Sequence, residues 1–228
     1  MSLNRSNVKR VPVIIIGAGG HAKVLIEMLK RNEVPIIGII DLAKSVGDQF
    51  MGIKILGKDN VVSKYSIDEV LLVNGVGALP EKTSRWALAD HFRSLGYHFS
   101  TVVDSTATMA SDVQLAEGVQ VMAGVVIQPG TKIDEDTIIN TRVTIDHDCV
   151  IGRQCHIAPG VTLSGEVHVR NGAHIGTGAC VIQGVSIGCG SVVGAGSVVL
   201  KDVEDRVTMF QVRNEITRSR NGKEMKDA

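Results

Sequence analysis

From Val103 to Val199, every sixth residue is aliphatic without a break. The series runs through Val121, Ile133, Ile145, Ile157, Val169, Val181 and Val193. Four residues after its members come small or β-branched side chains such as Ala107, Val119, Thr131, Cys149, Ala173, Ala179 and Ser197. A period of six predicts a parallel β-helix, in which each short strand buries one aliphatic residue and each turn follows at a fixed offset. Three such units make one coil. The span corresponds to roughly five coils stacked at ~4.8 Å, or about 25 Å of prism. Glycines at 118, 124, 130, 152, 160, 172, 176 and 188 fall in the turns, where positive φ is often needed. The period carries no handedness.

The first hundred residues lack that period. Val11 to Ile16 reads as a strand ending in Gly17-Ala18-Gly19-Gly20, and Ala22 to Lys30 as a helix with Val24, Leu25, Met28 and Leu29 on one face. Ile36 to Ile40 reads as a second strand closed by Asp41, and Val70 to Val73 as a third ending at Asn74-Gly75-Val76-Gly77. Helices are predicted near 58–65 and over Pro80 to Leu95, with an extended piece from Phe99 to Val103. Strands alternating with helices indicate a small Rossmann-like α/β unit with a parallel sheet. The division is therefore a tail at 1–10 that reads as disordered, an α/β domain at 11–101, a β-helix at 102–202 and a C-terminal tail at 203–228.

The 24 basic and 24 acidic residues balance. That disfavours nucleic acid as a partner, and 3% aromatic residues give few stacking platforms. No run approaches the ~20 apolar residues of a membrane span. The polar start lacks the apolar stretch of a signal peptide. The four cysteines form no CxxC pair, and Cys149 and Cys155 fall in the inward slot. Reduced thiols and a cytoplasmic location are expected, with no metal.

The combination of IIIGAGGHAKV (14–24), Asp41, VNGVG (73–77), VMAGVVI (121–127), IINTRVTIDHDCVIG (138–152) and CHIAPGVTLSGEVHV (155–169) resembles a known group. It is similar to the left-handed β-helix acyltransferases, and within them to bacterial sugar O- and N-acetyltransferases of the sialic-acid O-acetyltransferase type, which include nucleotide-aminosugar N-acetyltransferases. The resemblance spans roughly residues 11–202. It implies a left-handed prism, a homotrimer with active sites in clefts between prisms, acetyl-CoA as donor and a nucleotide-sugar acceptor. By the same resemblance His147 is the general base and Asp148 orients it. His156 lies by the acetyl thioester, and Asn140 contacts the acceptor sugar. Gly17, Gly19, Gly20 and His21, with Asp41 and the Asn74-Gly75 strand end, hold the acceptor nucleotide.

The residues support this chemistry to different degrees. Asp146, His147 and Asp148 fall between the inward Ile145 and Cys149, so they face outward or form a corner. A histidine between carboxylates has its charged form favoured and one tautomer fixed, which suits a base that deprotonates an amine or hydroxyl. His156 and His174, 18 apart, share a column, whereas His147 is half a coil away, so a site using both crosses a subunit boundary. His168 and His174 read as surface residues. Gly-rich turns that could donate N–H groups to the thioester oxygen are Ser164-Gly165, Gly176-Thr177 and Gly194-Ala195-Gly196. Gly17 to Ala22 also fits G-x-G-x-x-A, which alone suggests NAD; the absence of a second half and of a hydride-transfer domain weighs against that. The expected activity is acetyl transfer to the amine of a nucleotide-linked aminosugar in O-antigen or lipopolysaccharide biosynthesis. O-acetylation of a sialic-acid-like sugar and a non-catalytic β-helix scaffold are the alternatives.

Overall fold

The computed structural model describes residues 11–80 and 83–210; the expected tail at 1–10 and the segment 211–228 lie outside the described residues. The N-terminal unit runs β1 (Val13–Ile16), α1 (Gly20–Arg31), β2 (Ile36–Ile40), β3 (Gln49–Phe50), β4 (Ile53–Gly57), a 3₁₀ turn (Asp59–Lys64), β5 (Leu71–Asn74) and α2 (Ser84–Ser94). Its sheet order is β3-β4-β2-β1-β5. β1 pairs in parallel with β2 and β5, β2 in parallel with β4, and β3 antiparallel with β4. The sheet is therefore mixed, not purely parallel. The sequence analysis does not anticipate β3 and β4: β3 has only two residues, and β4 follows Gly52 and ends in Gly57. It also read the 3₁₀ turn as a helix and began α2 four residues early. Val13, Ile15, Leu25, Ile26, Met28 and Leu29 are buried between β1 and α1. Phe92, Tyr97 and Phe99 fill the other face of the sheet.

From Val102 the chain winds into a left-handed parallel β-solenoid. Its two-residue strands stack into three sheets of six, five and seven strands. Ile145, Ile157, Ile175 and Val193 are fully buried, as are Val119, Thr131, Cys149 and Ala179. Each buried aliphatic contributes about 1.5–3 kcal/mol. One corner slot recurs every sixth residue with positive φ. Glycine fills it at 118, 124, 130, 160, 172, 178, 184, 190 and 196, and Asp136, Arg142, Asp148, Gln154 and Glu166 fill it elsewhere. Gly152, Gly176 and Gly188 do not belong to this slot. A Cβ on any of them would lie within 2.8 Å of backbone in the next coil, so their glycine is required by stacking.

The prism does not end at residue 202. Ile187 bridges Val203, and Val192–Val193 pairs with Thr208–Met209. These partners are sixteen residues apart instead of eighteen. The last coil is thus two residues short, which breaks the hexapeptide phase and hid it from the sequence.

The α/β unit sits on the seven-stranded face. The outward column of that face reads Val102, Gln120, Ile138, His156, His174, Val192 and Thr208. Val102, Met122 and Ile138 join the core of the N-terminal unit. Ionic contacts flank this seam. Arg31 pairs with buried Asp104 at 2.8 Å, and Arg93 pairs with buried Asp136 and with Glu117 at 3.2 Å.

Candidate active site

His147 and Asp148 form the turn between Thr144–Ile145 of the six-stranded sheet and Val150–Ile151 of the five-stranded sheet. Asp148 takes the left-handed corner conformation at φ 58, which aspartate tolerates better than most residues. Its Oδ2 lies 2.9 Å from His147 Nδ1, and Asp146 Oδ1 accepts the His147 backbone N–H at 2.8 Å. The imidazole lies over Gly165. A Cβ there would stand 2.5 Å from His147 Nε2, so only glycine leaves room for the ring. Gly165 was expected among the donor-binding turns; the structure makes it the seat of His147. The Asp148 hydrogen bond, with the charges of Asp146, Asp148 and Glu166, raises the His147 pKa. His147 is thus an accessible ring with one nitrogen anchored and Nε2 free, the arrangement a general base needs.

His156 is its opposite. It lies in the seven-stranded face, at the lower edge of the docked α/β unit. Asn140 Oδ1 accepts the Thr141 N–H at 2.8 Å, which turns its Nδ2 to donate to His156 Nε2 at 3.1 Å. Nε2 is therefore occupied as an acceptor, which leaves the ring proton on Nδ1, a buried atom with no hydrogen-bond partner among the described residues. Burial, followed by the charges of His174, His21 and Arg85, pushes its pKa down to about 3. His156 is a neutral, fixed ring and no base. Asn140, expected to touch the acceptor, contacts Thr141 through Oδ1 and His156 through Nδ2. His174, which read as a surface residue, instead packs edge-to-face on His156 with ring centroids 4.7 Å apart. Both line a cavity of about 240 Å³ between Ala78, Leu79, Pro80 and Thr83 of the N-terminal unit and the prism, with Trp86, Gln154 and Arg206. His168 is exposed, as expected.

Several glycine-loop and strand-end residues turn out to hold the two units together. His21 Nε2 lies 2.7 Å from Gln120 Oε1 across the seam, and Gln120 Nε2 donates to the Asn74 carbonyl at 2.9 Å. Burial, then Arg85, lowers the His21 pKa to about 4. Asn74 is buried, donates to the Arg85 carbonyl at 3.1 Å and accepts from Val76 N–H at 3.1 Å. Its side chain braces its own strand end. A Cβ on Gly75 would strike the Ile16 carbonyl at 2.8 Å. Asp41 accepts from Ala18 N–H at 2.7 Å and from Ala43 N–H at 2.8 Å, so it staples the glycine loop to its own turn. Gly17, at φ 91, closes that turn. Gly19 and Gly20 remain open, with no atom within 4 Å of an added Cβ, at the start of α1 where no side chain caps the helix. This uncapped N-terminus offers free N–H groups and a partial positive charge to a phosphate.

On the prism, Gly176 and Gly194 are buried by neighbouring backbone and by Phe210, respectively, whereas Thr177 and Ala195 are exposed on the turns. Burial raises the Cys149 thiol to about 11 and the Cys155 thiol to about 12, so neither is a nucleophile at neutral pH. Among the described residues no group of His, Cys, Asp and Glu could hold a metal ion. No described helix is long and apolar enough to cross a membrane. The sequence analysis did not single out Arg85 or Gln120, and it read His174 as a surface residue. One signal was available: Val102 and Ile138 are apolar in outward slots, which marks a covered face.

A left-handed prism carrying a corner His-Asp pair defines the class as a hexapeptide-repeat acyltransferase. Residues 12–92 match the PglD N-terminal domain family, and residues 130–165 match the bacterial transferase hexapeptide family. A mutant perosamine N-acetyltransferase from Caulobacter crescentus, in complex with CoA and GDP-perosamine, is 34% identical over 91% of this chain and 97% of its own, with a TM-score of 0.82. PerB from the same organism, with the same ligands, is 36% identical over 91% of this chain and 97% of its own, with a TM-score of 0.81. The acetyltransferase domain of PglB from Neisseria gonorrhoeae, with acetyl coenzyme A, is 29% identical over 89% of this chain and 97% of its own, with a TM-score of 0.80. No curated protein matches. The chain belongs to the family of sugar acetyltransferases that join a PglD-type N-terminal domain to a hexapeptide β-helix, and it is an acetyl-CoA-dependent enzyme.

Proposed function

We propose that the protein transfers the acetyl group of acetyl-CoA to the amine of a nucleotide-linked 4-amino-deoxy sugar, with His147 as the base. The observation that carries this reading is the His147 ring itself, anchored to Asp148 through Nδ1 with Nε2 free above Gly165. The acceptor amine attacks the thioester carbonyl and gives its proton to His147 Nε2. The tetrahedral intermediate then collapses, the carbon–sulfur bond breaks, and the departing CoA sulfur takes that proton back. Backbone N–H groups of the exposed Thr177 and Ala195 turns are the candidate donors to the developing oxyanion. The uncapped start of α1 at Gly19 and Gly20 receives the acceptor's phosphates, and Asp41 acts by shaping that loop. An amine acceptor is favoured because similar structures hold GDP-perosamine.

The working unit in this reading is a homotrimer. His147 stands at the prism edge opposite the face that carries His156, so one chain cannot bring the two rings to one acetyl group. A threefold arrangement sets the edge of one prism against the face of the next. The product is assigned to surface-glycan biosynthesis, such as O-antigen of lipopolysaccharide, in the cytoplasm. A thiol-release assay over a panel of nucleotide-aminosugars and sialic-acid-like sugars tests the reaction. Turnover confined to hydroxyl acceptors, or none at all with acetyl-CoA bound, would overturn it.

A further inference from the structure

We infer that His174 is a positioning residue for the donor site, holding the His156 ring in place through edge-to-face contact. The inference rests on the reading that His156 lies beside the acetyl thioester. The two histidines are direct cross-strand neighbours, His156 pairing with His174 in parallel register. Their rings meet at 79° with centroids 4.7 Å apart, the preferred geometry of an aromatic pair. Asn140 fixes one edge of His156 at Nε2, but a single hydrogen bond leaves the ring free to tilt about it. His174 supplies the second constraint through the T-shaped ring contact. Both side chains line the same cavity, so neither is simply buried structure.

The charged and titratable groups around the pair are all basic. His156 senses His174, His21 and Arg85, and the cavity adds Arg206. Among the described residues that line it, none is acidic. A proton on either ring would oppose one on the other, so His174 also keeps the pair uncharged. Burial lowers the His174 pKa in the same direction.

The test uses the full chain, calorimetric titration with acetyl-CoA, and nitrogen NMR of the histidine rings. His174→Ala should weaken acetyl-CoA binding about three- to tenfold, the size of one ring pair, and shift the His156 ring signals. His174→Phe keeps the ring contact and should restore affinity to within about twofold of wild type. Unchanged His156 signals in His174→Ala, or a His174→Phe variant as weak as the alanine variant, overturn the inference. So does a fall in melting temperature in both variants that accounts for the lost affinity. If His156→Ala and His174→Ala both bind acetyl-CoA normally while the His156 signals still move, the positioning role stands and the donor-side reading of His156 falls.

Discussion

His147 and His156 are nine residues apart, half a coil of the prism, and have opposite chemistry. The corner histidine is accessible, ringed by Asp146, Asp148 and Glu166, and has a raised pKa. The face histidine is largely covered, ringed by His174, His21 and Arg85, and sits at about 3. The prism places its corners in water and offers one face to the docked domain. Residue type is therefore a poor guide to role here. The neighbours decide it, because a proton is stabilised by nearby carboxylates and expelled by burial among cations.

The contrast breaks first at the base. His147→Ala should lower kcat by about 10²–10⁴-fold with an unchanged melting curve and unchanged acetyl-CoA affinity, measured by steady-state kinetics and calorimetry. Near-normal turnover at neutral pH would end the assignment. A smaller loss, of about 10²-fold, is expected for Gly165→Val, because the new side chain occupies the space of the His147 ring and moves its Nε2. If that variant keeps full kcat, the ring does not work from its position over Gly165.

The pH profile sharpens the same comparison. A base must be deprotonated, so a raised pKa moves the rising limb of kcat/KM to higher pH than an ordinary histidine would give. Asp148→Asn should move that limb back down and cost less than about tenfold in rate, since the ring remains in place. His156 should add no inflection near neutrality. A limb that shifts in His156→Ala instead would reverse the two roles.

The smallest effect is on stability. His156 and His21 have folded pKa values of about 3 and about 4, below the ordinary histidine value. The unfolded chain then binds more protons than the folded one between those values and about 6.5. Stability is full above that window and declines as pH falls through it. His21→Gln should flatten this acid slope in a melting series from about pH 7 to pH 4. An unchanged slope would mean that His21 is not held neutral at the seam.

The period of six was enough for most of the prism. It identified Ile145 and Cys149 as inward and the intervening Asp146, His147 and Asp148 as outward-facing or a corner, because inward and outward slots recur at a fixed offset. It failed where the repeat fails, at the shortened coil between Val199 and Thr208. In the α/β unit β1, β2, β5 and α1 were legible, but the hairpin of Gln49–Phe50 and Ile53–Gly57 was not. Gln49–Phe50 has two residues and carries no alternation to detect, and Ile53–Gly57 follows Gly52 and ends in Gly57, so its ends read as turns.

What the sequence alone determined is thus the prism, the exposure of the corner histidine and, through its motifs, the family. What only the tertiary structure decided is the seam. Gln120 sits in an outward slot like any polar turn neighbour, yet it meets His21, 99 positions earlier in the chain. Arg85 looks like a solvated helix residue, yet it is buried against the Asn74 carbonyl. Asn74 reads as a strand-end ligand, yet it is buried and bonded to Arg85 and Val76 of its own unit. A repeat fixes burial through neighbours related by a constant offset. A docking contact between two differently built domains occurs once, and no local pattern encodes which outward residues it will cover.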